Sequence, residues 1–174
     1  RRPAVFEEMS GAQLYRHFNT MYATAYADID LLPSLTINGR YTYAYDHLKT
    51  EKYYDRSTSI GQSYKGQAFL SHEENVKHQI EGVATYHPKM EGKHDVKVTA
   101  GTSYIYQRGK GDEVQAYGFA SDVFSFKNIG AAQHLDWIGS GESSIKKASV
   151  FGRAEYIFNN RYIINASVRA DGSS

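Results

Sequence analysis

Cysteine is absent from the 174 residues, which removes disulfide scaffolds, Cys-ligated zinc and thiol nucleophiles together. Proline is scarce, at 3 residues, and tryptophan occurs once. No window approaches the roughly 18 apolar residues of a membrane-spanning helix, and Arg1 to Ser10 lack the apolar stretch of a secretory leader. No charge of one sign dominates: 20 Lys and Arg stand against 19 Asp and Glu, a formal +1, so nothing chain-wide favours a nucleic-acid partner. A helical membrane protein is thereby excluded, whereas a soluble β-protein and a chain of membrane strands both remain. The mean hydropathy of -0.57 does not separate those two, because strands that cross a bilayer alternate apolar with polar side chains and average out hydrophilic.

What is abundant is tyrosine, 15 residues beside 8 Phe and 15 Gly, a bias suited to surfaces apolar on one side and wet on the other. The apolar residues recur with period two, as on a pleated strand. From Leu35 to Asp46 one face reads Leu35, Ile37, Gly39, Tyr41, Tyr43, Tyr45 and the other Thr36, Asn38, Arg40, Thr42, Ala44, Asp46. Val96, Val98, Ala100, Thr102, Tyr104 and Tyr106 repeat this opposite Lys97, Thr99, Gly101 and Ser103. Ala148, Val150, Gly152, Ala154, Tyr156 and Phe158 oppose Ser149, Phe151, Arg153 and Glu155, and Tyr162, Ile164, Ala166, Val168 and Ala170 oppose Asn165, Ser167, Arg169 and Asp171. Weaker alternation covers Val76 to Tyr86 and Tyr15 to Ile29; in the latter both faces carry apolar residues, so its facing stays open.

Connections alternate in length. Short turns are expected around Leu32-Pro33-Ser34, Pro88 to Lys93 and Phe158 to Arg161, and long connections from His47 to Asn75 and from Arg108 to Lys146. Structureless loops beyond about 15 residues are uncommon in compact soluble domains, whereas short turns alternating with long loops typify outer-membrane barrels. An apolar band about 25 Å tall crossed at about 40° needs about ten residues of strand, the order of these runs. The fold class expected is all-β, an antiparallel transmembrane barrel segment of about six strands, fewer than the roughly eight a single-chain barrel needs to close. Residues 1–174 are expected to form one partial barrel domain, with other strands completing it, since an open sheet in lipid would leave unpaired backbone groups at its edges. Ala166 to Ser174 reads as a strand entering a loop, with no closing aromatic end.

Catalytic and metal motifs are weak. His72 and His78 in HEENVKH lack the i, i+4 spacing of a helical zinc protease, and Gly109 to Glu113 has neither P-loop nor EF-hand spacing. Asn165-Ala166-Ser167 matches a glycosylation sequon inside an expected strand and is discounted. No catalytic residue, metal or cofactor is assigned.

Val150 to Ser174, VFGRAEYIFNNRYIINASVRADGSS, resembles a hallmark segment of SusC/RagA-type TonB-dependent transporters: an F-G-R strand at Phe151-Gly152-Arg153, an aromatic turn, and a return strand ending in S-x-R-x-D-G-S-S at Ser167 to Ser174. Tyr22 to Tyr45 resembles a family hairpin, and Tyr117 to Asp122 with Asn128 to Ala132 a family loop. The resemblance implies a section of a 22-stranded barrel in the outer membrane of Bacteroidota, plugged by a domain outside this chain. It implies import of glycans or oligopeptides, a SusD-like lipoprotein as lid, and energy from TonB through parts outside the chain. Leader, TonB box and plug are not recognised in it.

On this reading Leu35, Ile37, Tyr41, Tyr43, Val96, Val98, Val150, Ile164 and Val168 face lipid, and Arg40, Asp46, Lys97, Arg153, Glu155, Arg169 and Asp171 face the lumen, where opposite charges pair. Tyr117, Phe119, Phe124, Phe126 and Trp137, in the second long connection, are the candidate contacts to substrate or lid, or else pack that connection against the barrel mouth. The alternatives from the residues alone are a soluble ligand-binding barrel or sandwich with the tyrosine face as its core, and an adhesin on the same kind of barrel.

Overall fold

The computed structural model describes residues 10–174; the stretch Arg1 to Ser10, in which no apolar leader was expected, falls, apart from Ser10, outside the described residues. Six strands form one sheet in the order β1-β2-β3-β4-β5-β6: β1 Ala12–Leu32, β2 Leu35–Tyr54, β3 Gln67–Tyr86, β4 His94–Phe119, β5 Ala132–Phe158 and β6 Tyr162–Ser173. A short helix, α1 Ser59–Tyr64, joins β2 to β3, and a 3-10 segment at Asp122–Ala131 joins β4 to β5. No helix among the described residues is long and apolar enough to cross a membrane, which bears on helices alone. The all-β antiparallel fold class expected from the alternation is the one observed.

The turns match expectation; the long connections do not. Much of His47 to Asn75 and Arg108 to Lys146 is strand, and the connecting segments shrink to residues 55–66 and 120–131. The strands are therefore 20 residues long in β2 and 27 in β5, not about ten. Past Tyr45, Val76, Tyr106 and Ala148 both faces carry polar side chains. Backbone pairing continues there, but the apolar mark by which a strand is read is gone.

The chain divides into two compact units. Among the described residues unit 1 comprises 10–20, 45–75 and 109–143, and unit 2 comprises 21–44, 76–108 and 144–174. Unit 1 holds the two longer connections and unit 2 the three short turns. Every buried hydrophobic residue described belongs to unit 1: Tyr53, Ala68, Ala116, Phe119 and Phe126. Leu70, Ile129 and Ala132 pack against this cluster.

Candidate functional site

In unit 2 cross-strand contacts assign every strand residue to a face. Thr24 and Thr42 share a hydrogen bond at 3.2 Å, and Asn38 donates to Asp28 at 2.6 Å. These contacts put the even residues of β1 on the face of Arg40, which fixes the facing that the sequence left open. Met21, Ala23, Ala25, Ala27 and Ile29 then share the opposite face with Leu35, Ile37, Tyr41 and Tyr43. Arg40 reaches Glu81 at 3.6 Å, and Ser103 meets Ser149 at 2.7 Å. The pairing of Ser149 with Asp171, Phe151 with Arg169 and Glu155 with Asn165 carries the same polar face into β6.

The opposite face is mostly apolar in unit 2, with Arg108 and Lys146 at its limits in β4 and β5. The Tyr41 hydroxyl and His78 Nδ1 share a hydrogen bond at 2.8 Å, and His78 stacks on Tyr106 with ring centroids 6.3 Å apart. His94 lies 2.6 Å from the Tyr156 hydroxyl. On this face no Asp, Glu, Lys or Arg occurs between Leu35 and Tyr45, Val76 and Tyr86, Val96 and Tyr106, Ala148 and Phe158, or Tyr162 and Ala170. Its side chains are not enclosed: Val168 is 71% exposed and Ile164 64%. A soluble sandwich would bury such a face.

The polar face of unit 2 forms a groove of about 650 Å³ that includes Tyr26, Arg40, Glu81, Phe151 and Arg169. Phe151 is the aromatic whose role the sequence did not reveal. Its ring lies over Gly101, where a Cβ would come within 2.4 Å of Phe151 Cζ. Only the missing side chain at 101 lets the ring lie flat on the sheet. Of the charges on this face, Arg153 pairs with Glu155 at 3.5 Å and Arg169 with Asp171 at 2.8 Å. Lys97 shares the face by its position in β4.

In unit 1 the same strand faces change character. The alternating positions that are apolar in unit 2 become His47, Lys49 and Glu51 in β2, His72 and Glu74 in β3, and Lys110 and Asp112 in β4. Tyr45 donates to Glu74 at 3.3 Å, Lys110 pairs with Glu74 at 3.0 Å, and His72 meets Asp112 at 3.0 Å. On the other face Asp46 accepts from Thr20 at 2.9 Å.

The two connections of unit 1 are knotted together. The hydroxyl of Tyr53, whose residue is wholly buried, donates to Asp122 at 2.7 Å. Burial, and then the neighbouring Asp122 carboxylate, push the Tyr53 phenol well above its ordinary range. Arg56 donates to the carbonyl of Phe119 and lies 3.7 Å from Asp122. Thr58 caps α1 by accepting from the Gly61 amide at 2.9 Å. Lys65 and Gly66 then turn through the left-handed region, at φ of 55° and 86°, so that the Lys65 carbonyl accepts from the Phe119 amide at 2.9 Å.

The five aromatics expected in a loop are placed differently. Tyr117 and Phe119 lie in β4 and Trp137 in β5; only Phe124 and Phe126 lie in a connection. The strands simply run further than alternation shows. Phe119 and Phe126 are buried in the core cluster, and Tyr117 is held between Tyr64 and His134, with centroids 5.2 and 5.0 Å away. Phe124 and Trp137 are the exposed pair.

No family model matches the chain. Two curated proteins of Formosa agariphila align with nearly all of it. TonB-dependent receptor P3 is 24% identical over 91% of the chain, and TonB-dependent receptor P39 is 24% identical over 95%. The chain spans only 16% of the length of either. Among solved structures, the RagAB peptide transporter superposes with a TM-score of 0.85 at 19% identity, over 94% of this chain and 18% of that one. The RagAB peptide importer in its open-open state gives 0.83 at 20%. These relatives are receptors and transporters, not enzymes. By alignment the chain is thus similar to a segment of TonB-dependent receptors, and in fold to a section of the RagAB transporter.

Proposed function

We propose that this chain forms part of the barrel wall of an outer-membrane importer of oligopeptides or glycans, working with a SusD-like lid lipoprotein and driven through TonB. The observation that carries the reading is the uncharged, exposed face of unit 2. From Leu35 to Tyr45 it is about 33 Å of strand, which at a tilt of about 40° matches a hydrocarbon band about 25 Å tall. Tyrosines stand toward its margins, at Tyr43 and Tyr45, Tyr104 and Tyr106, and Tyr86, Tyr156 and Tyr162, where amphipathic rings favour the lipid headgroups. Leu35, Ile37, Tyr41, Tyr43, Val96, Val98, Val150, Ile164 and Val168 are then the lipid contacts. Arg40, Asp46, Lys97, Arg153, Glu155, Arg169 and Asp171 face the lumen and a plug supplied by the rest of the protein. About sixteen further strands of the same polypeptide would complete a barrel of about 22, within the range of such barrels. Exposed Phe124 on the 3-10 segment is the lid contact, and Trp137 faces substrate.

Cysteine accessibility tests the placement, because the chain has none of its own. Single cysteines at Val98 and His72 of the full-length protein are exposed to a membrane-impermeant maleimide on intact cells. His72→Cys is expected to react, and Val98→Cys to react only after detergent extraction. Labelling of Val98→Cys on intact cells would return the chain to the soluble alternative. Deleting the gene and following uptake of defined oligopeptides and oligosaccharides tests the cargo.

A further inference from the structure

We infer that unit 1 carries, on its polar face, a recognition site for a ligand's ammonium or guanidinium group, built from Trp137, Glu113 and Glu73 over a floor of glycine. The inference rests on the reading that this face lines the import path. Gly111 in β4 and Gly139 and Gly141 in β5 leave the sheet without side chains, and a groove of about 340 Å³ opens over them. Trp137 lies in it with its indole against the backbone: a Cβ at position 139 would sit 3.0 Å from Trp137 Nε1 and 3.3 Å from Cε2. The indole N–H donates to Glu113 Oε1 at 2.6 Å. The ring is thus held by its backbone contact and its hydrogen bond while the residue stays 56% exposed. Glu73 borders the groove across Gly111, whose added Cβ would touch its Cγ at 3.7 Å.

The wall selects by what it offers. Its glycines apart, it presents the carboxylates of Glu73, Glu113 and Asp112, an aromatic face, and Ser71, His72 and Ser140, and neither Lys nor Arg lines it. The indole N–H, a donor only, is already committed to Glu113. A phosphate or carboxylate ligand would meet like charge. A neutral sugar hydroxyl can use the same acceptors and the serine hydroxyls beside them, but gains neither a charge–charge attraction nor a cation–π contact. A cation needs only acceptors and a π face, and tryptophan is the best of the aromatic faces for it. Glu113 serves twice, fixing the ring and adding negative charge beside it. An unfixed tryptophan would have to give up rotamer freedom on binding, which this one has already lost.

A basic peptide side chain and the amine of an amino sugar present the same chemistry, so the test carries both. Binding to the full-length transporter in detergent is measured for a fluorescent hexapeptide containing two lysines and for a fluorescent glucosamine oligomer, each beside its N-acetylated form. The expectation is that the free-amine form of one of them binds about fivefold or more tighter than its acetylated form, the scale of a cation–π contact with a nearby carboxylate. Glu73→Gln and Trp137→Leu should each bring that ratio toward one, chiefly by weakening binding of the free-amine form. Glu113→Gln, which keeps an acceptor for the indole, should lower the ratio without disturbing the ring's emission. Which of the two amines shows the preference identifies the source of the cation. A ratio of one in the unaltered protein, or a ratio indifferent to these substitutions, overturns the site alone. Binding of none of the four probes, together with no loss of oligopeptide or oligosaccharide uptake on gene deletion, overturns the importer reading and the site with it.

Discussion

Unit 1 and unit 2 are built from the same sheet strands, yet they solve opposite problems. Unit 1 buries an apolar cluster around Tyr53, Phe119 and Phe126 and covers its strand surfaces with His47, Lys49, Glu74, Lys110 and Asp112. Unit 2 buries no hydrophobic residue among those described and exposes Ile29, Ile80, Val150, Ile164 and Val168. One hides its apolar residues and the other displays them. Apolar surface without a core is stable only against an apolar solvent. The difference shows that strand pairing alone does not set the surface: the side chains decide how apolar each stretch is.

Substitutions test that contrast, the largest effect coming where the solvents differ most. Ile80→Arg places a charge on the apolar face of unit 2 and is expected to cost about 2–4 kcal/mol. His72→Arg, on the same face of the same strand but in unit 1, should stay within about 0.5 kcal/mol. Urea titrations of the full-length protein folded into lipid vesicles measure both, and equal costs would erase the distinction between the units. Gly101→Val drives a side chain into the Phe151 ring and should cost about 1–3 kcal/mol, the range for overpacking. The same titration reads it, and an unchanged midpoint would mean the ring is free to leave the groove.

Within unit 1, Tyr53→Phe removes the donor to Asp122 while Arg56 remains beside that carboxylate. The expected loss is about 1 kcal/mol. This phenol also sets an alkaline limit. Its folded value is raised above the ordinary 10.0, so its contribution is complete below that pH and is lost as pH rises through the folded value, because the unfolded chain gives up the proton first. Thermal melts at rising pH should show Tyr53→Phe less alkali-sensitive than the unaltered protein, and parallel loss in both would remove Tyr53 as the cause. Smallest of all, Arg40→Ala breaks an ion pair to Glu81 in which Arg40 is 62% exposed, and about 0–1 kcal/mol is expected. A loss above that range, measured in the same vesicles, would show Arg40 to be held by more than Glu81.

The apolar face of unit 2 was legible in the sequence because an apolar face backed by a polar one imposes strict alternation. Leu35 to Tyr45 and Tyr162 to Ala170 carry it without interruption. In unit 1 both faces carry polar side chains, alternation fades, and residues 47–54 and 108–119 read as loop although they are strand. That misreading put Tyr117, Phe119 and Trp137 in a connection. The Tyr53 to Asp122 contact joins residues 69 apart in the chain, and no local pattern announces it. The seat of Phe151 on Gly101 was equally silent, since a phenylalanine on a polar face looks like an exception until the bare backbone beneath it is seen.

The knot of Tyr53, Arg56 and Asp122 bears on how such a protein can change across generations. It anchors the bases of both connections through buried or partly buried atoms, while Val123 and Phe124, immediately after Asp122, stand exposed. Substitutions at those tips leave the anchor intact, and substitutions at the anchor disturb both connections at once. A lineage adapting to a new partner can therefore rewrite the tips one residue at a time while inheriting their mounting unchanged.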